Sequence, residues 1–272
     1  MRVTGIAQRV SKLSGVRLAM LALLMLTLLL ALPLPLTKPA GAQDMATIQL
    51  VTGNAYHPYT DESLPQGGLA SAIVARVFAD MGFKAEFTFL PWDDGYAQAR
   101  DGQFIATFPY IVTAARKQDF LYTTELFQVR PSLFWNVTRK LRVNRLSDLM
   151  GRSLCVPEGW AIDSYLATMT SGGGLSVVRG ASIRDCFTRL HRGDVDVVSA
   201  DRRLGQTLTK QIAPNRWSTN RRFVQDGVPN HLLFTKRHPQ AAQWVKAFDA
   251  AFAELRDSGT LFSVIREYYE GS

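Results

Sequence analysis

The chain has 272 residues, 47% hydrophobic and 20% charged, which is enough apolar content for a buried core and excludes intrinsic disorder as its main state. A net charge of +8 points first to nucleic acid, but five of the 31 basic residues (Arg2, Arg9, Lys12, Arg17, Lys38) precede Asp44, the first acidic residue. From residue 43 onward 26 basic residues face 23 acidic ones, a balance of +3, so the excess belongs to the N-terminal segment and nucleic acid is not an expected partner.

That segment reads as a secretory leader over 1–42. Met1 to Arg17 is polar and basic, and Leu18 to Leu32 is apolar except for Thr27. Pro33 and Pro35 then break any helix, and Ala40-Gly41-Ala42 offers the small residues a signal peptidase reads. As a helix the fifteen-residue apolar run rises roughly 22 Å, short of a ~30 Å hydrocarbon core, so cleavage after Ala42 is expected rather than anchoring. The mature chain is expected to be soluble and exported.

Strands and helices then alternate. Thr47 to Thr52 reads as a strand. Leu69, Ile73, Val77 and Met81 recur at helical spacing, with Gly82 as the stop. Ala85 to Leu90 is the next strand, Trp92 to Arg100 a helix and Phe104 to Thr107 a strand. A helix is predicted to start at Thr113, whose hydroxyl can cap its first turn. Leu126 to Val137 is one long β-rich run. After Gly151 a second series begins, with strands at 153–156, 175–178 and 195–199 and helices near 160–170, 181–192 and 202–212. His231 to Thr235 is a late strand. Pro239 opens a helix with Val245, Phe248, Phe252 and Leu255 on one face, and Gly259 separates it from a last helix ending near Tyr269.

Two β-α series without a polar linker predict an α/β protein of two lobes. Lobe I is expected over 43–135 and again over 231–272, with lobe II between, at 136–230. Both boundaries fall inside strands, which makes a two-strand hinge, and a ligand is expected between the lobes at the carboxyl ends of their strands. Lobe II carries 15 basic and 8 acidic residues, the rest of the mature chain 11 and 15. This is either an attraction that favours closure or an uneven solvated surface.

Cys155 and Cys186 either form a disulfide, as an oxidising compartment allows, or lie buried as small unpaired side chains. The four histidines show no metal-binding spacing. No metal or cofactor is expected.

Seven stretches, in order, resemble family 3 of the bacterial extracellular solute-binding proteins, the periplasmic amino-acid receptors of ABC importers: TGNAYHPYTDE (52–62), GGLASAIVARVFADMG (67–82), PWDDGYAQARDGQF (91–104), TAARKQDFLYT (113–123), LSDLMGRSLCVPEGW (146–160), CFTRLHRGDVDVVSAD (186–201) and SGTLFSVIREYY (258–269). The resemblance covers nearly all of 46–270. It implies the periplasmic-binding-protein (Venus-flytrap) fold, a monomer, a small-molecule solute and transient docking on a membrane ABC permease.

It also implies roles. Arg116, three residues after Thr113, matches the residue that grips the ligand carboxylate, and a guanidinium fork suits that group. Asp201 matches the residue that takes the ligand ammonium, and equally suits an N-cap for the following helix. Tyr56 matches a stacking aromatic and Trp92 a pocket wall, though either residue type is also common in cores. Trp160 stands where the family commonly has a small hydroxyl residue, so its bulk either fills the cleft or turns away. Two departures stand out: Ile105 replaces a usual Asp, and Pro109, which has no N–H, sits in place of a Gly/Ser-rich segment. Other readings of the scaffold are an exported enzyme resembling cyclohexadienyl dehydratases, with Glu158 as the nearest acid, and a binding module serving a sensor or an oxidoreductase.

Overall fold

The computed structural model describes residues 45–214, 217–220 and 227–270. The expected leader, 1–42, lies outside the described residues. In chain order the elements are β1 (Ala46–Gly53), α1 (Leu69–Asp80), β2 (Phe83–Leu90), α2 (Trp92–Arg100), β3 (Ala106–Tyr110), α3 (Arg116–Asp119), β4 (Phe120–Val129) and β5 (Pro131–Asn136). They continue with β6 (Arg152–Pro157), α4 (Ser164–Ser171), β7 (Leu175–Gly180), α5 (Ile183–Arg192), β8 (Val197–Asp201), α6 (Arg202–Ile212), β9 (Trp217–Asn220), β10 (Val228–Thr235), α7 (Ala241–Asp257) and α8 (Thr260–Glu270).

The strands form two five-stranded sheets, ordered β2-β1-β3-β10-β4 and β7-β6-β8-β5-β9. Each is a mixed sheet built on parallel strands. β1 lies between β2 and β3, parallel to both, and β6 lies between β7 and β8 in the same way. Antiparallel strands complete each sheet: β10 between β3 and β4, and β5 between β8 and β9. These are the two lobes of the α/β fold.

Helices cover the sheets because their apolar faces need burial. α1 buries Leu69, Ile73, Val74, Val77 and Phe78. α7 lays Phe248, Phe252 and Leu255 into the same core, where Phe78 and Phe248 pack with ring centroids 5.5 Å apart. In the second lobe α5 buries Ile183, Phe187 and Leu190, and Phe187 meets Phe134 of β5 at 5.2 Å. Ser182 caps α5 by accepting from the N–H of Asp185. Cys155 of β6 and Cys186 of α5 are joined by a disulfide that fixes the helix on its sheet. Among the described residues no helix is long and apolar enough to cross a membrane.

Two elements differ from their sequence-based expectation. The β-rich run from Leu126 is two strands in two sheets: β4 belongs to the first lobe and β5 to the second, with the crossing at Arg130. The expected division at 135/136 falls at the end of β5 instead. A continuous apolar run does not show where a chain leaves one sheet for another, because both halves are buried alike. The helix expected from Thr113 is a single turn, Arg116–Asp119, with Thr113 still in the preceding loop. After these four residues the chain enters β4 at Phe120, before a second turn can form.

Candidate functional site

The parallel strands of both lobes end at one cavity, as open α/β sheets lead one to expect. Its wall takes Tyr110 and Ile111 from the end of β3, Pro157, Gly159 and Trp160 from the end of β6, and Asp201 from the end of β8. Tyr56, after β1, and Trp92, at the start of α2, complete the first lobe's side. Five of the expected site residues therefore converge here: Arg116, Asp201, Tyr56, Trp92 and Trp160. Thr113 stands behind the cavity, where its hydroxyl accepts the backbone N–H of Arg116 at 3.2 Å.

The three aromatics form one wall. Trp92 is held by its indole N–H, which donates to the carbonyl of Asn54 at 3.0 Å. Its ring covers Gly53, where an added Cβ would lie 2.2 Å from the indole, so glycine makes this approach possible. Tyr56 is buried, with Trp160 edge-on at 5.0 Å and Trp92 at 6.1 Å. The bulk of Trp160 is in the cleft, 6.4 Å from Trp92. The preceding residue, Gly159, has φ +72°, and a Cβ there would sit 2.5 Å from the Cβ of Trp92. Only glycine allows that backbone of the second lobe to come so close to the first.

Arg116 is 9% exposed. Its guanidinium lies 4.5 Å from the ring centre of Tyr110 and 5.9 Å from that of Tyr96, a cation–π cradle. Nη1 donates to the carbonyl of Ile111 at 3.1 Å and Nη2 to that of Gly159 at 3.2 Å. Burial pulls the guanidinium pKa below its usual value, and desolvation pushes the Tyr110 hydroxyl up to about 12.

Asp201 caps α6. Its Oδ1 accepts the N–H groups of Arg203 (3.0 Å) and Leu204 (3.1 Å). Its Oδ2 accepts the N–H of Arg130 at 3.3 Å, at the point where the chain crosses between sheets. The residue lines the cavity while it caps, so the two readings of Asp201 are compatible.

Sequence reasoning missed Asp163, Ser199, Tyr110 and Asn230, all of which line the cavity. Asp163 falls inside the helix expected near 160–170 and Tyr110 beyond the strand expected at Phe104 to Thr107, so neither position stands out by its pattern. The departures fall differently. Pro109 lines the cavity, whereas Ile105 packs against the first lobe's core and its carbonyl accepts from the N–H of Thr235. Glu158 is exposed and does not line this cavity. No group of three or more His, Cys, Asp or Glu residues that could hold a metal ion occurs among the described residues.

Residues 48–271 match the model of the bacterial extracellular solute-binding proteins, family 3. The chain belongs to this family. Among relatives of this family-3 protein, the amino-acid-binding protein AabA of Dichelobacter nodosus is 23% identical over 216 residues, which is 78% of this chain and 82% of AabA. An ancestral arginine-binding protein bound to arginine shares the fold with a TM-score of 0.70 at 18% identity, over 83% of this chain and 99% of its own. A histidine kinase sensor domain with similarity to periplasmic binding proteins also gives a TM-score of 0.70, at 17% identity over 83% and 97%. The scaffold is thus that of a periplasmic binding protein.

Proposed function

We propose that this chain is a periplasmic receptor that captures a small carboxylate-bearing solute, an amino acid or close relative, between its lobes and delivers it to an ABC importer. The observation that carries this reading is that Arg116 of one lobe and Asp201 of the other line a single cavity walled by Tyr56, Trp92 and Trp160. Arg116 takes the carboxylate. Two of its five N–H groups serve carbonyls, which leaves donors for an anion. Asp201 takes the ammonium group with lone pairs its cap does not use, and Thr113 holds the Arg116 backbone in place. The aromatics cover the apolar part of the solute. The amino-acid ligands named for relatives favour the same solute class.

In this reading lobe I comprises residues up to β4 and from β10 onward, and lobe II the stretch between. Closure is a hinge motion about the crossing strands, biased by contacts the solute makes only when both lobes reach it. Asp201 ties the solute to the hinge through Arg130. The leader is removed after Ala42, and the receptor works as a monomer.

Mass spectrometry of solute retained through gentle purification tests the reading, followed by calorimetry with that solute on the parent and Arg116→Ala. A retained amino acid whose binding depends on Arg116 supports it. A retained solute without a carboxylate, or binding indifferent to Arg116, overturns it.

A further inference from the structure

Asp163 stands at the N-cap position of α4, yet its side chain makes no capping hydrogen bond. An Asp at that position ordinarily accepts a backbone N–H of its own helix. Here the carboxylate faces the cavity and accepts the hydroxyl proton of Ser199 at Oδ2. The Ser199 hydroxyl has one proton, so the Tyr165 hydroxyl, 2.7 Å away, donates to Ser199. The chain Tyr165–Ser199–Asp163 is therefore polarised toward the carboxylate and favours negative charge on it.

Among the described residues no charged group answers that carboxylate; those of them that line the cavity and carry charge are Arg116, Asp163 and Asp201. The bonds of Arg116 go to the carbonyls of Ile111 and Gly159 and not to Asp163, and Asp201 is itself a carboxylate that accepts three backbone N–H groups. No ion pair involving Asp163 is found among the described residues. Its cavity neighbours Ile162, Leu154 and Leu166 are aliphatic, so its field is poorly screened. The burial that raises the Asp163 pKa, and the field that Asp163 and Asp201 both exert on the Tyr56 hydroxyl, agree with an unneutralised carboxylate in the cleft.

Resting on the receptor reading above, we propose that Asp163 selects solutes carrying a second cationic group, an ammonium or guanidinium beyond the α-amino group. The aliphatic wall takes the stem of such a side chain, and the Asp163 carboxylate, held by Ser199 and Tyr165, receives its charged end. A neutral side chain of the same length leaves the carboxylate desolvated and unpaired, so discrimination comes as much from that penalty as from the ion pair.

The test uses two near-isosteric pairs as probes: L-arginine with L-citrulline, and L-ornithine with L-norleucine. Calorimetry is run on the parent and on Asp163→Asn, with circular dichroism confirming the fold. The parent should bind the cationic member of at least one pair roughly 10- to 150-fold more tightly, the range for a hydrogen bond to a charged group. In Asp163→Asn that ratio should fall below about threefold. Ser199→Ala should reduce it partly, as a positioning residue would. Equal binding within both pairs, or a ratio that survives Asp163→Asn, overturns the inference and leaves the receptor reading intact. Binding of none of the four also overturns the inference, and a retained solute without a carboxylate overturns the receptor reading with it.

Discussion

Arg116 spans the cleft: one nitrogen of its guanidinium donates to Ile111 in its own lobe, and the other donates to the carbonyl of Gly159, 43 residues on, in the opposite lobe. The same side chain thus lines the cavity and bridges the lobes. In the proposed receptor a solute carboxylate docks on this fork and adds to that bridge, and Arg116→Ala removes both. Truncating one partner of a desolvated charged pair costs about 2 to 5 kcal/mol, or roughly 30- to 5,000-fold in affinity. Calorimetry should show near loss of carboxylate binding with the fold retained, and Arg116→Lys should restore only part, since an ammonium cannot make the two-pronged contact.

Gly159 offers a separate handle on closure. An added methyl group would meet Trp92 and Asp93 of the facing lobe, while the cost of its positive φ is paid whether the lobes are apart or together. Gly159→Ala should therefore weaken solute binding, by about 10-fold or more, with a smaller loss of stability. Small-angle scattering with solute present should show a wider molecule than the parent. An unchanged affinity would mean that this approach plays no part in closure.

Asp201→Asn separates cap from ligand contact. Asparagine keeps an acceptor for the N–H groups of Arg203 and Leu204 but its amide nitrogen cannot accept the N–H of Arg130, so the cap survives and the stability lost, about 1 kcal/mol, is that of the single bond to Arg130. Binding of solutes with an ammonium group should fall, and that of plain organic acids should hold. Asp201→Ala should lose the cap as well, about 1 kcal/mol more of stability, read from urea unfolding.

The Cys155–Cys186 disulfide closes a loop with a sequence separation of 31. In the chain-entropy model such a loop contributes about 3 to 4 kcal/mol. Reduction, or the double change to serine, should lower the unfolding midpoint accordingly. Thiol titration of the native protein should find no reactive cysteine before reduction.

The pKa of Asp163 is raised by burial, against the opposing hydrogen bond from Ser199, with Tyr165, Tyr56 and Asp201 as the titratable groups around it. Between the ordinary carboxylate value near 4 and its raised folded value, the folded chain holds a proton that the unfolded chain releases. Its contribution to stability therefore declines as pH rises through that window and remains unfavourable above it. Asp163→Asn should melt higher than the parent near pH 7, and the gain should vanish below about pH 4. Melting curves across pH check this. A variant less stable than the parent at neutral pH would show that the carboxylate holds the lobe together.

The sequence by itself determined the α/β class, the order of nearly every strand and helix, and the family's blocks. These are local or periodic signals: the apolar face of α1, the stop at Gly82, the serine that caps α5. It also marked Arg116 and Asp201, through the blocks that resemble the family and not through spacing alone. Only the tertiary structure decided the rest. The break at Arg130 is invisible in an apolar run, since strands of both sheets are equally buried. The single turn at Arg116 was shortened by β4, whose pairing with β10 outweighs helix propagation. Asp163 falls inside the helix expected near 160–170; its meeting with Ser199, 36 residues later, comes from the packing of β6 beside β8. Trp160 likewise carries no mark of which way it turns. Its place against Tyr56 depends on the opposite lobe, and contacts between distant segments are set by how the two sheets face each other, which no local pattern encodes.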